Sequence, residues 1–273
     1  MIDFLSYKFI TNALIISVLC SISSAIIGSW VVIKRKVLIS GGITHASFGG
    51  IGLAYLIGIN TIIGSSVFAV ASALGIELLS RKKGLREDSA IGMFWSVGMA
   101  LGIIFIYLSR GYAPDLIGYL FGNILAVSNL DIYISATLCL ILVVWFSLNY
   151  HKILFISFDE EFAKTRHLNV LLINCLLMIF TALTIVINIK VSGIVLVISM
   201  LSIGQSAANI ITQNFKKIII YSFLFNIISC FAGILTSWWL NIPSGASIIF
   251  VLTFIYVITL IIKKLQSKRA ILT

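Results

Sequence analysis

Long apolar runs decide what this chain can fold into. They cover approximately residues 9–33, 37–58, 61–80, 89–108, 131–150, 169–189, 191–211, 218–240 and 244–262. About 20 apolar residues in a helix cross the hydrocarbon core of a bilayer. Only 10% of the residues are charged, whereas soluble domains carry about 25%. The sequence therefore predicts an all-α integral membrane protein, a single transmembrane domain over residues 1–273 with about nine spanning helices.

Basic residues predict how these helices are oriented. Successive loops between the spans lie on alternate sides of the membrane. The loops on one side contain all of the 19 Lys and Arg residues except Lys8, Arg110 and Lys190. Cytoplasmic loops carry the excess of positive charge, so we expect a multi-pass inner-membrane protein with its N-terminus outside and its C-terminus in the cytoplasm. A miscounted span would scramble this distribution. The second and third spans, and the sixth and seventh, are joined by very short loops. At either place a short re-entrant pair of helices could replace full spans, so the sequence predicts eight to nine spans.

On the outer side, residues 111–130 are too apolar for an open loop and too interrupted for a span. A short helix from Pro114 to about Leu125 that dips back into the protein is expected, because irregular backbone at membrane depth must be enclosed by protein. Proline near the start of a helix and an acid in its first turn, here Asp115, are both favourable there.

On the cytoplasmic side, residues 157–168 predict a short amphipathic helix. Ser157 or Asp159 would cap it, and acidic residues fill its first turn. Its apolar face would consist of Phe158, Phe162 and Ala163. Such a face either docks a soluble partner or lies on lipid, and the pattern alone does not choose between them.

The second span carries a stripe of small residues. They recur every four positions, at Gly42, Ala46, Gly50, Ala54 and Gly58. A stripe of this kind lets another helix approach closely, because no bulky side chain separates the two backbones.

His45 lies beside this stripe, between Gly41 and Gly49. It is about eight residues into the span, or roughly 12 Å along the helix. An ionisable residue at that depth faces a cavity or a partner. Neutral imidazole suits zinc and related divalent metals. His45 is therefore either a transient metal ligand on a translocation path or a hydrogen-bond partner of a neighbouring helix.

Acidic residues are scarce. Asp115 and Asp131 fall on the outer side, where they would attract a cation to a pore mouth or cap helices in contact with water. Glu77 lies four residues before Arg81, and the two side chains are expected to snorkel together toward the cytoplasmic side. The sequence has no P-loop, no HExxH and no GxSxG motif, and no pair of buried acids. These absences disfavour an enzyme and a proton-coupled carrier, and favour a pore driven by a partner.

Several longer motifs occur in a fixed order. They are FITNAL, VVIKRKVLISGGITHASFGGIGLAY, EDSAIGMFWSVGMALG, PDLIGYLFGNIL, FDEEFAKTRHL, SGIVLVISMLS and AGILTSWWLNIPSGASIIF. Together they resemble the permease subunits of the zinc/manganese/iron ABC importers, almost from end to end of the chain.

The resemblance implies a homodimer in the lipid bilayer, partner ABC ATPase subunits and an extracytoplasmic metal-binding protein. It also implies that His45 meets the transported metal. The segment 157–168 would be the coupling helix that receives the ATPase stroke, through Phe158, Asp159, Phe162 and Ala163. The outer segment would gate the pore mouth, through Pro114, Asp115, Tyr119 and Phe121.

Four positions depart from the family pattern. Many relatives have an acid where this chain has Gly41, so an oxygen ligand near His45 is absent or supplied elsewhere. Relatives usually have proline at Gly204, often glycine at His167, and commonly an acid at Asn241.

The sequence thus predicts a permease that moves a divalent metal ion, zinc or manganese before iron, into the cytoplasm by alternating access. No permanently bound cofactor, no nucleic-acid partner and no catalytic residue are expected. One rival is a permease for a metal chelate of the siderophore or cobalamin type, which usually has about ten spans. Another is an ATP-independent secondary metal carrier, and a third is a purely structural membrane subunit. Copurification of an ATPase subunit would distinguish an ABC permease from a secondary carrier.

Overall fold

The computed structural model describes residues 8–81, 85–109, 122 and 124–272. Within these ranges the chain is helical and has no strand. The elements are α1 (Lys8–Ile33), α2 (Val37–Ile57), α3 (Thr61–Ser80), α4 (Glu87–Leu108), a 3₁₀ turn (Ile124–Ala126), α5 (Asn129–Phe158), α6 (Glu160–Thr165), α7 (Val170–Ser192), α8 (Ile194–Ile211), α9 (Phe215–Leu240) and α10 (Ser244–Leu272).

All the long helices of the described part are spans by length and composition. There are 9 of them, namely every helix except α6. This agrees with the predicted number and bounds, and both very short loops join complete helices. One difference lies in α10, which continues to Leu272 instead of ending near residue 262. The other lies in α5, which continues to Phe158 instead of ending near residue 150. Its last turns therefore run directly into the segment predicted to couple the protein to a partner.

Polar side chains fix where several helices begin. Each accepts a hydrogen bond from a backbone N–H in the first turn of its own helix, which satisfies one of the donors that a helix start leaves open. These residues are Asn60, Ser128, Asp159, Asn169 and Asn214. At the C-terminus of α9, Asn241 adopts a left-handed backbone with φ +53°. Asparagine tolerates this conformation, so the departure at Asn241 suits a helix C-cap.

Two groups of helices form the bundle. In the first, α2 packs against α3 and α4, and α3 also packs against α7. In the second, α1 packs against α5, α8 and α9, while α10 packs against α8 and α9. The α1–α2 junction and contacts of α7 with both sets join the two groups. Much of α4, α5 and α10 remains exposed in the single chain, as expected for helices that face lipid or a partner.

A buried polar cluster links α1, α8 and α9. The Gln205 side-chain amide donates to the Ser24 carbonyl oxygen at 2.8 Å and to the Met200 carbonyl oxygen at 2.8 Å. Asn226 donates to the same Met200 oxygen at 3.1 Å. A Cβ at Gly204 would overlap the Asn226 carboxamide. Glycine at this departure from the family pattern therefore leaves room for an interhelical hydrogen bond.

Candidate functional site

The small-residue stripe of α2 packs against two helices. Near its start, a Cβ at Gly42 would lie 2.5 Å from an Ile91 methyl group of α4. Further along, a Cβ at Gly50 would overlap the Gly64 carbonyl oxygen of α3, and Ala54 also contacts Gly64. Because the obstructing atoms include backbone, α2 and α3 approach so closely only without side chains between them. The predicted close approach of a helix along this stripe is thus present in the structure.

Gly58 does not belong to this contact surface. It lies after the last residue of α2, has φ +73°, and a Cβ there would meet nothing within 4 Å. Its backbone N–H donates to the Ala54 carbonyl oxygen. The four-residue spacing suggested a packing residue, whereas Gly58 is the left-handed cap that ends the helix.

His45 stacks on an aromatic ring of α4. Its imidazole lies parallel to the Trp95 indole, with ring centroids 4.2 Å apart and an interplanar angle of 8°. Gly41, one turn earlier, leaves room for the same indole, which lies 3.5 Å from the position of a Cβ. His45 is only half-buried, and no described residue hydrogen-bonds to its ring nitrogens. The ring is thus held by stacking while its ligating atoms stay available.

The described part of the single chain has no ready-made metal cluster. No group of three or more His, Cys, Asp or Glu side chains there could hold an ion. His45 is accordingly a lone imidazole, and further ligands would come from water, from a second chain or from residues outside the described ranges.

Asp131 has its carboxylate engaged. One oxygen lies 2.5 Å from Lys190 Nζ, and the other accepts from the Ser128 hydroxyl at 2.6 Å and from the Ser128 backbone N–H at 3.1 Å. Ser128 and Asp131 form a capping box at the start of α5. Of the two roles considered for Asp131, this geometry favours the helix cap, because a metal would have to displace Lys190.

Asp115 and the other predicted gate residues, Pro114, Tyr119 and Phe121, lie outside the described residues. The structure describes only the end of the outer segment, at Gly122 and the 3₁₀ turn. The 3₁₀ turn contacts α1, and Asn12 of α1 donates to the Val127 carbonyl oxygen at 3.2 Å. Asn12 therefore ties α1 to the segment that precedes α5.

The basic end of the bundle, where α1 joins α2 and α5 joins α6, contains a network of ion pairs. Lys34 Nζ lies 2.8 Å from Glu160 Oε1 and donates to the Ile156 carbonyl oxygen at 2.9 Å. Asn174 of α7 donates to the same Glu160 oxygen at 3.2 Å, and Arg81 of α3 lies 4.0 Å from the other. Glu160 therefore ties α6 to the ends of α1, α3 and α7.

A second part of this network surrounds Glu77, which is buried. Arg81 Nη2 lies 2.6 Å from one Glu77 oxygen, and Lys36 Nζ lies 3.5 Å from the other. Lys36 also lies 2.8 Å from Glu87 at the start of α4. Because buried charges must be paired, this arrangement connects the start of α2 to α3 and α4.

The network also sets the ionisation of Glu160. Burial alone would raise the pKa of its carboxyl group, but the hydrogen bond and the charge of Lys34 oppose this. With the contributions of Asn174 and Arg81, the pKa is held below its ordinary value. Glu160 is therefore an anion at neutral pH, as the ion pair requires.

The helix predicted over residues 157–168 is shorter than expected. Its helical part is Glu160–Thr165, capped by Asp159, whereas Ser157 and Phe158 belong to the end of α5. Ala163 is fully buried while Phe158 and Phe162 are exposed. The three residues predicted on one face are therefore split. Ala163 packs on the bundle, and the two phenylalanines are presented outward.

The backbone conformation at His167 accounts for one departure from the family pattern. Its backbone is left-handed, with φ +56°, just after α6 ends. Glycine adopts this conformation without strain, so the frequent glycine of the family meets a backbone requirement. His167 thus serves the turn between α6 and α7.

Sequence reasoning missed two sets of residues. Trp95 gives no signal of its own, because which side of α4 faces His45 depends on how the helices pack. Lys34 and Glu160 are separated by 126 positions, so no local spacing reveals the pair. The sequence does give one indication of this pair. Glu160 is an acid in a loop on the side of the membrane that is rich in Lys and Arg, which suggests that its charge is paired.

Comparison with known proteins gives the family. The sequence profile of the ABC 3 transport family matches residues 6–263. An uncharacterized membrane protein of Synechocystis sp. is 37% identical, over 97% of this chain and 94% of that protein. The manganese transport system membrane protein MntC of Listeria monocytogenes is 34% identical, over 96% of this chain and 94% of that protein.

A solved structure supports the same assignment. The structure of PsaBC from Streptococcus pneumoniae in complex with Fab matches with a TM-score of 0.84 and 28% identity, over 94% of this chain and 93% of that chain. The resemblance found in the motifs is thereby confirmed. The chain belongs to the ABC 3 transport family, as a membrane-spanning permease subunit of metal ABC transporters in which ATP hydrolysis belongs to a separate subunit.

Proposed function

We propose that this permease passes a divalent metal ion, manganese foremost, into the cytoplasm. The observation that carries the proposal is the end-to-end similarity to a manganese transport system membrane protein. In this proposal the basic end of the bundle is cytoplasmic, as the distribution of Lys and Arg predicts. An extracytoplasmic metal-binding protein delivers the ion to the opposite end.

His45 is the proposed contact for the ion. Its ring nitrogens have no described hydrogen-bond partner, and Trp95 fixes the plane of the ring. A single imidazole cannot hold a divalent ion tightly, which suits a site that must release its cargo. A homodimer would bring a second His45 to the path and thus supply a second nitrogen ligand.

The choice between manganese and zinc depends on the oxygen ligands. Manganese favours carboxylate, carbonyl and water oxygens, whereas imidazole suits zinc. Gly41 supplies no carboxylate near His45. Zinc is therefore the second candidate cargo, and uptake of the two ions has to be compared side by side.

The proposed coupling path begins at α6. The exposed Phe158 and Phe162 would contact the ATPase subunit, while Ala163 and Asp159 seat α6 on the end of α5. Movement of α6 would reach Lys34 through Glu160. Because α2 begins at Val37, three residues after Lys34, such a movement acts directly on the helix that carries His45.

The test compares metal uptake of wild type, His45→Ala and the control His151→Ala in cells that lack other metal importers. We expect His45→Ala to lower uptake at least tenfold, the scale on which groups of a metal site act. His151 is an exposed histidine on another helix, α5, so its removal should change little. Normal uptake by a His45→Ala protein that reaches the membrane in normal amount would contradict the proposal.

A further inference from the structure

A groove opens between α5 and α9 at the basic end of the bundle. Both helices pack on α1, Phe215 of α9 stacks on Tyr150 of α5, and the space between the two helices is about 530 Å³. This is within the range of about 300–1,000 Å³ found for ligand pockets. The groove is lined by Ile26, Val143, Phe146, Ser147, Tyr150, His151, Lys216, Ile219 and Ile220.

The lining changes from polar to apolar with depth. Lys216 is the second residue of α9, at the end of the bundle, beside the exposed His151 of α5. Val143, eight residues before His151 on α5, lies roughly 12 Å deeper along that helix, where the lining is apolar. The groove therefore begins at the level of lipid headgroups and extends into the hydrocarbon layer.

The polar mouth is positively charged. The described residues place no carboxylate in ion-pair contact with Lys216, and no acid lines the groove. Lys152 and Lys217, which are the next residues after His151 and Lys216, add to the positive charge. An anion bound at the mouth would thus meet the Lys216 ammonium group and no opposing charge.

We propose that this groove binds an anionic phospholipid of the leaflet at the basic end. One acyl chain lies against Ile26, Phe146 and Ile219, and the phosphate lies at Lys216 and His151. The apolar walls suit an acyl chain, and the basic mouth suits a phosphate group. Basic pockets between spanning helices select anionic headgroups in this way.

The test is native mass spectrometry of the purified permease titrated with phosphatidylglycerol or phosphatidylcholine. We expect wild type to bind phosphatidylglycerol more tightly, and Lys216→Gln to weaken that binding about fivefold, the effect of one basic residue near the membrane surface. Lys217→Gln is the matched control. It removes the same charge from the adjacent position but does not line the groove, so binding should change less than about twofold.

Ser147→Phe tests the apolar part, because a phenyl group would fill the groove from α5. It should lower the binding of both lipids. Equal effects of Lys216→Gln and Lys217→Gln would overturn the proposal in favour of diffuse surface charge. Equal binding of the two lipids by wild type would overturn it by showing that the groove does not select an anionic headgroup. Loss of dimers by Ser147→Phe without loss of lipid would overturn it in favour of a second copy in the groove. None of these readouts requires transport activity.

Discussion

The ion pair between Lys34 and Glu160 should be worth measurably more than an ordinary surface pair. The perturbation is a double-mutant cycle with Lys34→Gln, Glu160→Gln and the double variant. The two atoms are 2.8 Å apart, and the side chains are 13% and 31% exposed. Exposed pairs contribute about 0.2–1 kcal/mol, whereas breaking a buried pair costs about 3–5 kcal/mol. The Lys34–Glu160 pair is partly buried, so its energy should lie between these two cases. We expect a coupling energy of about 1.5–3 kcal/mol.

The assay is reversible SDS-induced unfolding of the purified permease in detergent micelles. The matched control is the cycle of Lys164 and Glu161 on the same helix, which are 2.6 Å apart but 53% and 84% exposed. Its coupling energy should stay below about 0.5 kcal/mol. Lys34 and Glu160 substitutions that add within about 0.3–0.5 kcal/mol would refute the idea that this pair anchors α6.

Two further predictions concern packing and pH. Gly50→Ala should destabilise the protein by about 1–3 kcal/mol in the same assay, because its Cβ would overlap the α3 backbone. Gly92→Ala, where a Cβ meets nothing within 4 Å, should be neutral or slightly stabilising, and equal effects would contradict the packing argument. Since the folded pKa of Glu160 is lowered, its contribution is present above the ordinary glutamate pKa and is lost as pH falls through the folded value. The stability difference between wild type and Glu160→Gln should hold from pH 7 to about 5 and shrink below about 4. A difference already lost near pH 6 would contradict this assignment.

The spans were predictable because hydrocarbon imposes a length and a composition on every helix that crosses it. Where α5 ends was not predictable. The apolar run predicted a span end near residue 150, yet the helix continues to Phe158. Charge and polarity locate the edge of the bilayer, but they do not locate the last hydrogen bond of a helix. Residues beyond that edge are governed by caps such as Asp159.

Single residues were predicted less well than helices. The stripe on α2 was recognisable from its spacing, but Gly58 satisfied the spacing while serving as a cap. Trp95 and Lys190 were found only in the structure, since each acts on a residue of another helix. Spacing along one helix reports its own face, whereas the partner of that face depends on the packing of the whole bundle.

The central claim is that this chain is a metal pore driven by a separate ATPase. It is tested by measuring manganese and zinc uptake into proteoliposomes that contain the permease with or without its ATPase and metal-binding protein. The account predicts ATP-dependent uptake that requires the ATPase and is lost in His45→Ala. Uptake by the permease alone, without ATP, would instead identify a secondary carrier and contradict the account.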